Sequence, residues 1–209
     1  SKLTVDEYGR LCSVTGSTVS YDNESVLILN EFAKTHPDFV YHGARGMISL
    51  TGYDGIFGYR LTSGSQTEID GAKKVTEALR AEGWTFGCHS YSYADMSKAS
   101  LDTVKKDTEK WFEEIGSIVG EPLVYVWPYG GSVRSGEIKD YLYDKGFRIF
   151  CGVGLAAYRA NESGGKGIFV DRKPLSGYNL KNRKDDFSHL FDAGEVLDTA
   201  RPADDEMDE

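Results

Sequence analysis

The chain has 209 residues, 40% hydrophobic and 27% charged, the balance of a globular protein with one large domain. It contains no run of about 18 apolar residues, so no membrane span is expected. The net charge is −9 with no basic stripe, which argues against nucleic acid as a partner. Residues 203–209 hold five acids and no base, leaving 28 acids against 24 bases, a net of −4, elsewhere. Residues 203–209 are therefore expected to form a disordered acidic tail, and residues 1–202 a single domain. Cys12, Cys88 and Cys151 fit no CxxC spacing and read as buried thiols. The 13 Tyr and 3 Trp suit a carbohydrate groove or a Tyr-rich core equally well.

In chain order, residues 1–22 are polar and turn-rich, with a short hairpin readable in Val14–Val19. A helix is predicted over 24–35, with Val26, Ile28, Leu29 and Phe32 inward and Pro37 beyond its end. Residues 46–51 read as a buried strand, followed by a Gly/Tyr loop from Gly52 to Ser65. A helix fits 68–82 through Ile69, Ala72, Val75, Ala78 and Leu79. Then come a strand at 84–88, a long helix at 99–118 and a strand at 122–127. A helix at 135–145 stopped by Gly146, strands at 147–151 and 167–170, and a last helix at about 186–197, which includes His189, complete the chain. Strands alternating with helices predict βαβ units around a parallel sheet. The pattern fits both a closed or partly closed barrel and an open doubly wound sheet. Either places function at the carboxyl ends of the strands, in the loops 51–65, 88–97, 127–135 and 151–167.

His89 stands at such a strand end. A residue four positions on lies on the same face of a helical turn, and two histidines so spaced grip one divalent metal. Here Tyr93 fills the second slot, and a phenol binds a metal well only once deprotonated. It can still hydrogen-bond a bound water or a sugar hydroxyl. Asp95 is a nearby oxygen donor. On spacing alone, a hydrogen-bonded structural role for His89 is the plainer reading. Trp127-Pro128-Tyr129-Gly130-Gly131 predicts an irregular turn, either a plain connection or one whose backbone N–H holds an oxyanion. Tyr53, Tyr59 and Arg60 can line a sugar subsite. Arg172, after Asp171 at a strand end, can orient a carboxylate or join a surface ion pair.

Gly87 to Met96, the long helix after it, Val126-Trp127-Pro128-Tyr129-Gly130 and the strand Gly146–Cys151 together resemble the NodB-homology polysaccharide deacetylases, carbohydrate esterase family four. Leu50 to Arg60 resembles a subgroup found in bacteria of the Firmicutes. The resemblance covers about residues 27–198. It implies a distorted (β/α) barrel and a metal-dependent hydrolase that removes acetyl groups from a chitin-, peptidoglycan- or xylan-like polysaccharide. It further implies a divalent metal, zinc first, an extracellular or cell-envelope setting, and a monomer with an acetylated glycan as its partner. Position by position, His89 matches the first metal histidine and Tyr93 the second ligand slot. Tyr129 matches the oxyanion backbone N–H, Trp127, Pro128 and Gly130 the groove-shaping loop, and Arg172, loosely, the arginine that orients the base.

Two departures accompany the resemblance. Tyr93 replaces a histidine, and the family's Asp-Asp pair is not found; it would lie upstream of Ser1. These departures predict a weak or inactive chain. The alternative is a non-catalytic glycan-binding module on the same barrel.

Overall fold

The computed structural model of the protein describes residues 1–154, 160–162 and 167–197. The tail at 203–209 and most of the loop between Gly154 and Gly167 lie outside the described residues.

The chain opens with a small antiparallel sheet of β1 (Lys2–Val5), β2 (Leu11–Thr15) and β3 (Thr18–Ser20), in that order. The hairpin expected at 14–19 is the β2–β3 turn. β1 was hidden in a segment that reads as polar. Asp6 turns the chain between β1 and β2: one carboxylate oxygen accepts the Tyr8 and Arg10 backbone N–H groups, each at 2.9 Å. The other accepts the Arg10 guanidinium and the Tyr21 hydroxyl. The Arg10 N–H, with help from these neighbours, holds the Asp6 carboxyl down at about 2.

Helix α1 (Ser25–Thr35) follows. Its inward face is rotated from the expected one: Val26, Leu27, Asn30 and Ala33 are buried, whereas Ile28 and Phe32 are exposed. The cause is Asn30, which turns inward to accept the Trp84 indole N–H at 2.9 Å, while Phe32 stacks on His36.

Then come β4 (Met47–Leu50), α2 (Gln66–Ala81), β5 (Thr85–Cys88), α3 (Leu101–Trp111) and α4 (Ser117–Val119). The last two are joined by a π turn at Phe112–Gly116, so the predicted long helix is present but interrupted. β6 (Val124–Val126), α5 (Glu137–Asp144), β7 (Ile149–Val153), β8 (Ala160–Glu162), β9 (Ile168–Arg172), α6 (Gly177–Asn182) and α7 (Ala193–Val196) complete the described chain. The helix predicted at 186–197 is instead a turn followed by the four-residue α7, and His189 lies in the turn. Asp192 accepts the Gly194 N–H at 2.7 Å and starts the helix there, well inside the predicted span.

The main sheet has the order β4-β5-β6-β7-β9-β8. β4, β5, β6, β7 and β9 are parallel, and β8 is antiparallel to β9. No pairing joins β4 to β8 among the described residues, so the sheet is an open array there. Trp111, Trp127, Tyr125, Phe147 and Phe150 are fully buried within the fold. Each buried Phe contributes on the order of 2–3 kcal/mol. Trp111 also donates its indole N–H to the Leu50 carbonyl at 2.8 Å, pinning α3 to the end of β4. The three cysteines are buried and unpaired, as expected. No helix among the described residues is long and apolar enough to cross a membrane.

Candidate active site

His89 continues the β5 ladder by donating its backbone N–H to the Leu50 carbonyl at 2.9 Å. Its imidazole reaches across to β6, where Nδ1 lies 2.7 Å from the Val126 carbonyl. A carbonyl only accepts, so Nδ1 carries the proton and Nε2 keeps its lone pair. Burial, more than the nearby Arg172 charge, pushes the His89 pKa down and favours this neutral form.

The chain after His89 turns sharply, with Ser90 and Tyr93 at φ 56° and 54°. A left-handed backbone at a bulky residue costs on the order of 1–3 kcal/mol and needs support. Asp107, on α3, supplies it. Its carboxylate accepts the Tyr91 N–H at 2.7 Å, the Ser92 N–H at 2.9 Å and the Ser92 hydroxyl at 2.6 Å. Sequence reasoning missed Asp107. Its signal was an acid inside the buried face of α3, beside Val104, Thr108 and Trp111.

The 51–55 loop leans on this turn, since Gly52 and Tyr53 both donate backbone N–H groups to the Tyr91 carbonyl. Only glycine fits at position 52, because a Cβ would sit 2.2 Å from the Tyr91 ring. Tyr53 is 55% exposed here. Tyr59 is not available to a sugar: it is buried, with its ring against Gly71 of α2 and under the Lys2 ammonium at 3.9 Å. Arg60 is tied by its backbone N–H to Glu68, in the first turn of α2.

At the end of β6, Trp127 is fully buried against Tyr125, so its ring cannot stack on a ligand. Its carbonyl serves the site instead, accepting Nη2 of Arg172 at 3.0 Å, while Arg172 Nε donates to the Gly152 carbonyl at 3.1 Å. Burial lowers the Arg172 pKa from its ordinary value. Asp171 pairs with Arg134 at 3.2 Å. Among the described hydrogen bonds, Arg172 thus holds one backbone carbonyl just after β6 and one in β7 rather than a carboxylate.

Pro128 is buried, and Gly130 takes φ 69°, where a Cβ would lie 2.8 Å from Val153. Between them Tyr129 sits at φ 54° and is 69% exposed. Its ring centroid is 5.1 Å from that of Tyr93, which is 5.3 Å from the His89 ring. His89, Tyr93, Tyr129 and Arg172 are therefore brought together, with Tyr53 on the adjoining loop. Asp95 is engaged locally with Ser97 and Lys98. Among the described residues, no three His, Cys, Asp or Glu side chains converge to hold a metal ion. His89 is a single strong donor with a phenol beside it, and that set does not fit a tetrahedral zinc site.

Residues 60–150, a little under half of the chain, match the family model for polysaccharide deacetylase. This stretch is thus similar to a NodB-type polysaccharide deacetylase domain. It includes His89, Tyr93 and the Pro128-Tyr129-Gly130 loop, and is shorter than the span of the predicted resemblance. No curated protein matches the chain. Among solved structures, the Streptococcus pyogenes deacetylase PplD in complex with acetate is 13% identical, covering 49% of this chain and 44% of that one, with a TM-score of 0.40. A candidate polysaccharide deacetylase from Mycobacterium smegmatis is 18% identical, covering 74% and 46%, with a TM-score of 0.46. IcaB from Ammonifex degensii is 17% identical, covering 52% and 48%, with a TM-score of 0.40. The chain spans somewhat less than half the length of these structures.

Proposed function

We propose that the protein is a polysaccharide deacetylase-type hydrolase acting on an acetylated chitin-, peptidoglycan- or xylan-like glycan. In this reading residues 1–202 form one unit, a distorted barrel, working as a monomer at the cell envelope or outside the cell. The observation that carries it is the convergence of His89 and Arg172 on two consecutive carbonyls, Val126 and Trp127, directly before the Pro128-Tyr129 turn. The polysaccharide deacetylase match over residues 60–150, which includes His89 and Tyr129 but not Arg172, supports it.

The reaction adds water to an acetyl carbonyl and releases acetate, leaving an amine or hydroxyl on the sugar. Here the Tyr129 backbone N–H stabilises the oxyanion that forms on that carbonyl. Arg172 holds the loop carrying that N–H, and the Nε2 lone pair of His89 faces the reacting group. Tyr53, Pro128 and Gly130 border the groove. The family resemblance assigns His89 to a zinc ion. The described residues do not complete a zinc ligand set.

The test is acetate release by the purified chain from N-acetylated chitin oligomers and O-acetylated xylan oligomers, each with EDTA and with added Zn²⁺ or Co²⁺. Release from one substrate class supports the reading. No release from either, with or without metal, together with glycan binding that ignores EDTA, would establish the second reading, a non-catalytic glycan-binding module. The observation favouring that second reading is Tyr93 in the ligand slot, 40% exposed and against Tyr129.

A further inference from the structure

Tyr93 and Tyr129 come from different βα loops, yet both take the same left-handed backbone conformation, at φ 54°. Bulky side chains rarely adopt it, and positions that keep it cluster where a side chain must be aimed. Both loops are built to hold it. The Asp107 carboxylate grips the turn before Tyr93, and Gly130 seats the Tyr129 loop against Val153. The two rings meet at 5.1 Å with an interplanar angle of 45°, and remain 40% and 69% exposed. The result is a bent aromatic corner that stands over the strand ends and is not absorbed into the core. Its inner edge is the His89 ring, 67° to Tyr93.

We infer that Tyr93 and Tyr129 form a pyranose-stacking subsite, in which the phenol at position 93 has exchanged metal ligation for contact with the sugar ring. The inference rests on the reading of this site as a glycan site. Aromatic rings offer a flat apolar face to the C–H face of a β-linked pyranose, and a tyrosine adds a hydroxyl for the sugar's edge. Two rings at 45° cradle one sugar unit rather than a continuous flat surface. A sugar so placed carries its ring substituents toward His89, the inner edge of the corner. The proposed occupant is one sugar unit of the acetylated oligosaccharide that the reading of this site as a glycan site implies. The interaction needs no metal, because its energy lies in the ring faces.

The test is calorimetric titration of the full chain, in EDTA, with N-acetylchitotetraose and with xylotetraose. Tyr93→Phe keeps the face and is expected to bind within about threefold of the wild type. Tyr93→Asn and Tyr129→Asn remove the face but suit a left-handed backbone, so both are expected to stay folded by circular dichroism and to bind about tenfold or more weakly. Wild-type affinity in either Asn variant overturns the subsite, as does an equal loss in Tyr93→Phe and Tyr93→Asn. If the wild type binds the oligosaccharides and the Asn variants bind as well, the stacking inference alone falls. If the wild type binds neither tetrasaccharide, the glycan-site reading falls with it.

Discussion

His89 and Val126 share a hydrogen bond of 2.7 Å between Nδ1 and the carbonyl oxygen, and this bond decides which imidazole nitrogen faces the site. The carbonyl cannot donate, so the proton sits on Nδ1. Long-range ¹H–¹⁵N NMR at pH 7 is expected to show a protonated Nδ1 and a pyridine-type Nε2 at His89. An Nε2–H tautomer, or an imidazolium at that pH, would contradict the assignment.

Arg172 works one residue further along the same strand end. It links the carbonyls of Trp127 and Gly152, so it ties the loop after β6 to the end of β7. Lysine has a single ammonium and cannot reproduce the two-pronged contact. Arg172→Lys is expected to destabilise the fold by about 1–2 kcal/mol in urea titrations. If the chain releases acetate, kcat should fall far more than KM changes, by up to about 10²-fold, because the Tyr129 N–H loses its alignment. Unchanged kcat in a chain with the expected stability loss would restrict Arg172 to a purely structural role.

The distribution of these contacts explains which parts of the site could be read from the sequence. His89, Tyr129 and Arg172 each lie just beyond a short apolar run, and the carboxyl-end rule places such residues together whatever their separation in the chain. The burial of Tyr59 and Trp127 follows from how far a loop folds back and which face of β6 meets the helices, and local spacing encodes neither. Continuously apolar strands such as Val124–Val126 carry no alternation to reveal their inner face. The β5 and β7 strands stand out instead as short apolar runs, and the α2 face follows helical periodicity. The turned face of α1 depends on one long-range bond, Asn30 to Trp84, as the His89 turn depends on Asp107. The last predicted helix failed because periodicity continued past Asp192, while that residue's side chain began a new helix.

Asp107 tests how far the site depends on such a bond. It is nearly buried and accepts three hydrogen bonds from Tyr91 and Ser92. Asp107→Ala leaves two N–H groups and a hydroxyl without their acceptor and is expected to cost about 3 kcal/mol of stability. Asp107→Asn retains the shape but turns an amide NH₂ toward at least one donor, so it should recover only part of that loss. Equal stability of wild type and Asp107→Ala in urea would show that the turn carrying His89 is held by something else.

Asp6 gives a pH signature distinct from the site. Its carboxyl is held at about 2, below the ordinary 3.8, chiefly by the Arg10 backbone N–H and also by the Tyr21 hydroxyl and Arg10 side chain. A depressed pKa means the unfolded chain binds the proton first as pH falls. The contribution is therefore complete above pH 3.8 and is lost as pH drops through about 2. Asp6→Asn removes the charge but keeps one acceptor oxygen for the turn. Its Tm is expected to lie below that of the wild type at pH 7, and the gap should close between pH 4 and pH 2. High salt should narrow the gap at pH 7, because Arg10 is exposed and its share of the attraction is screened. A Tm difference that stays constant down to pH 2 would remove the Asp6 charge from the turn's stability and leave only its geometry.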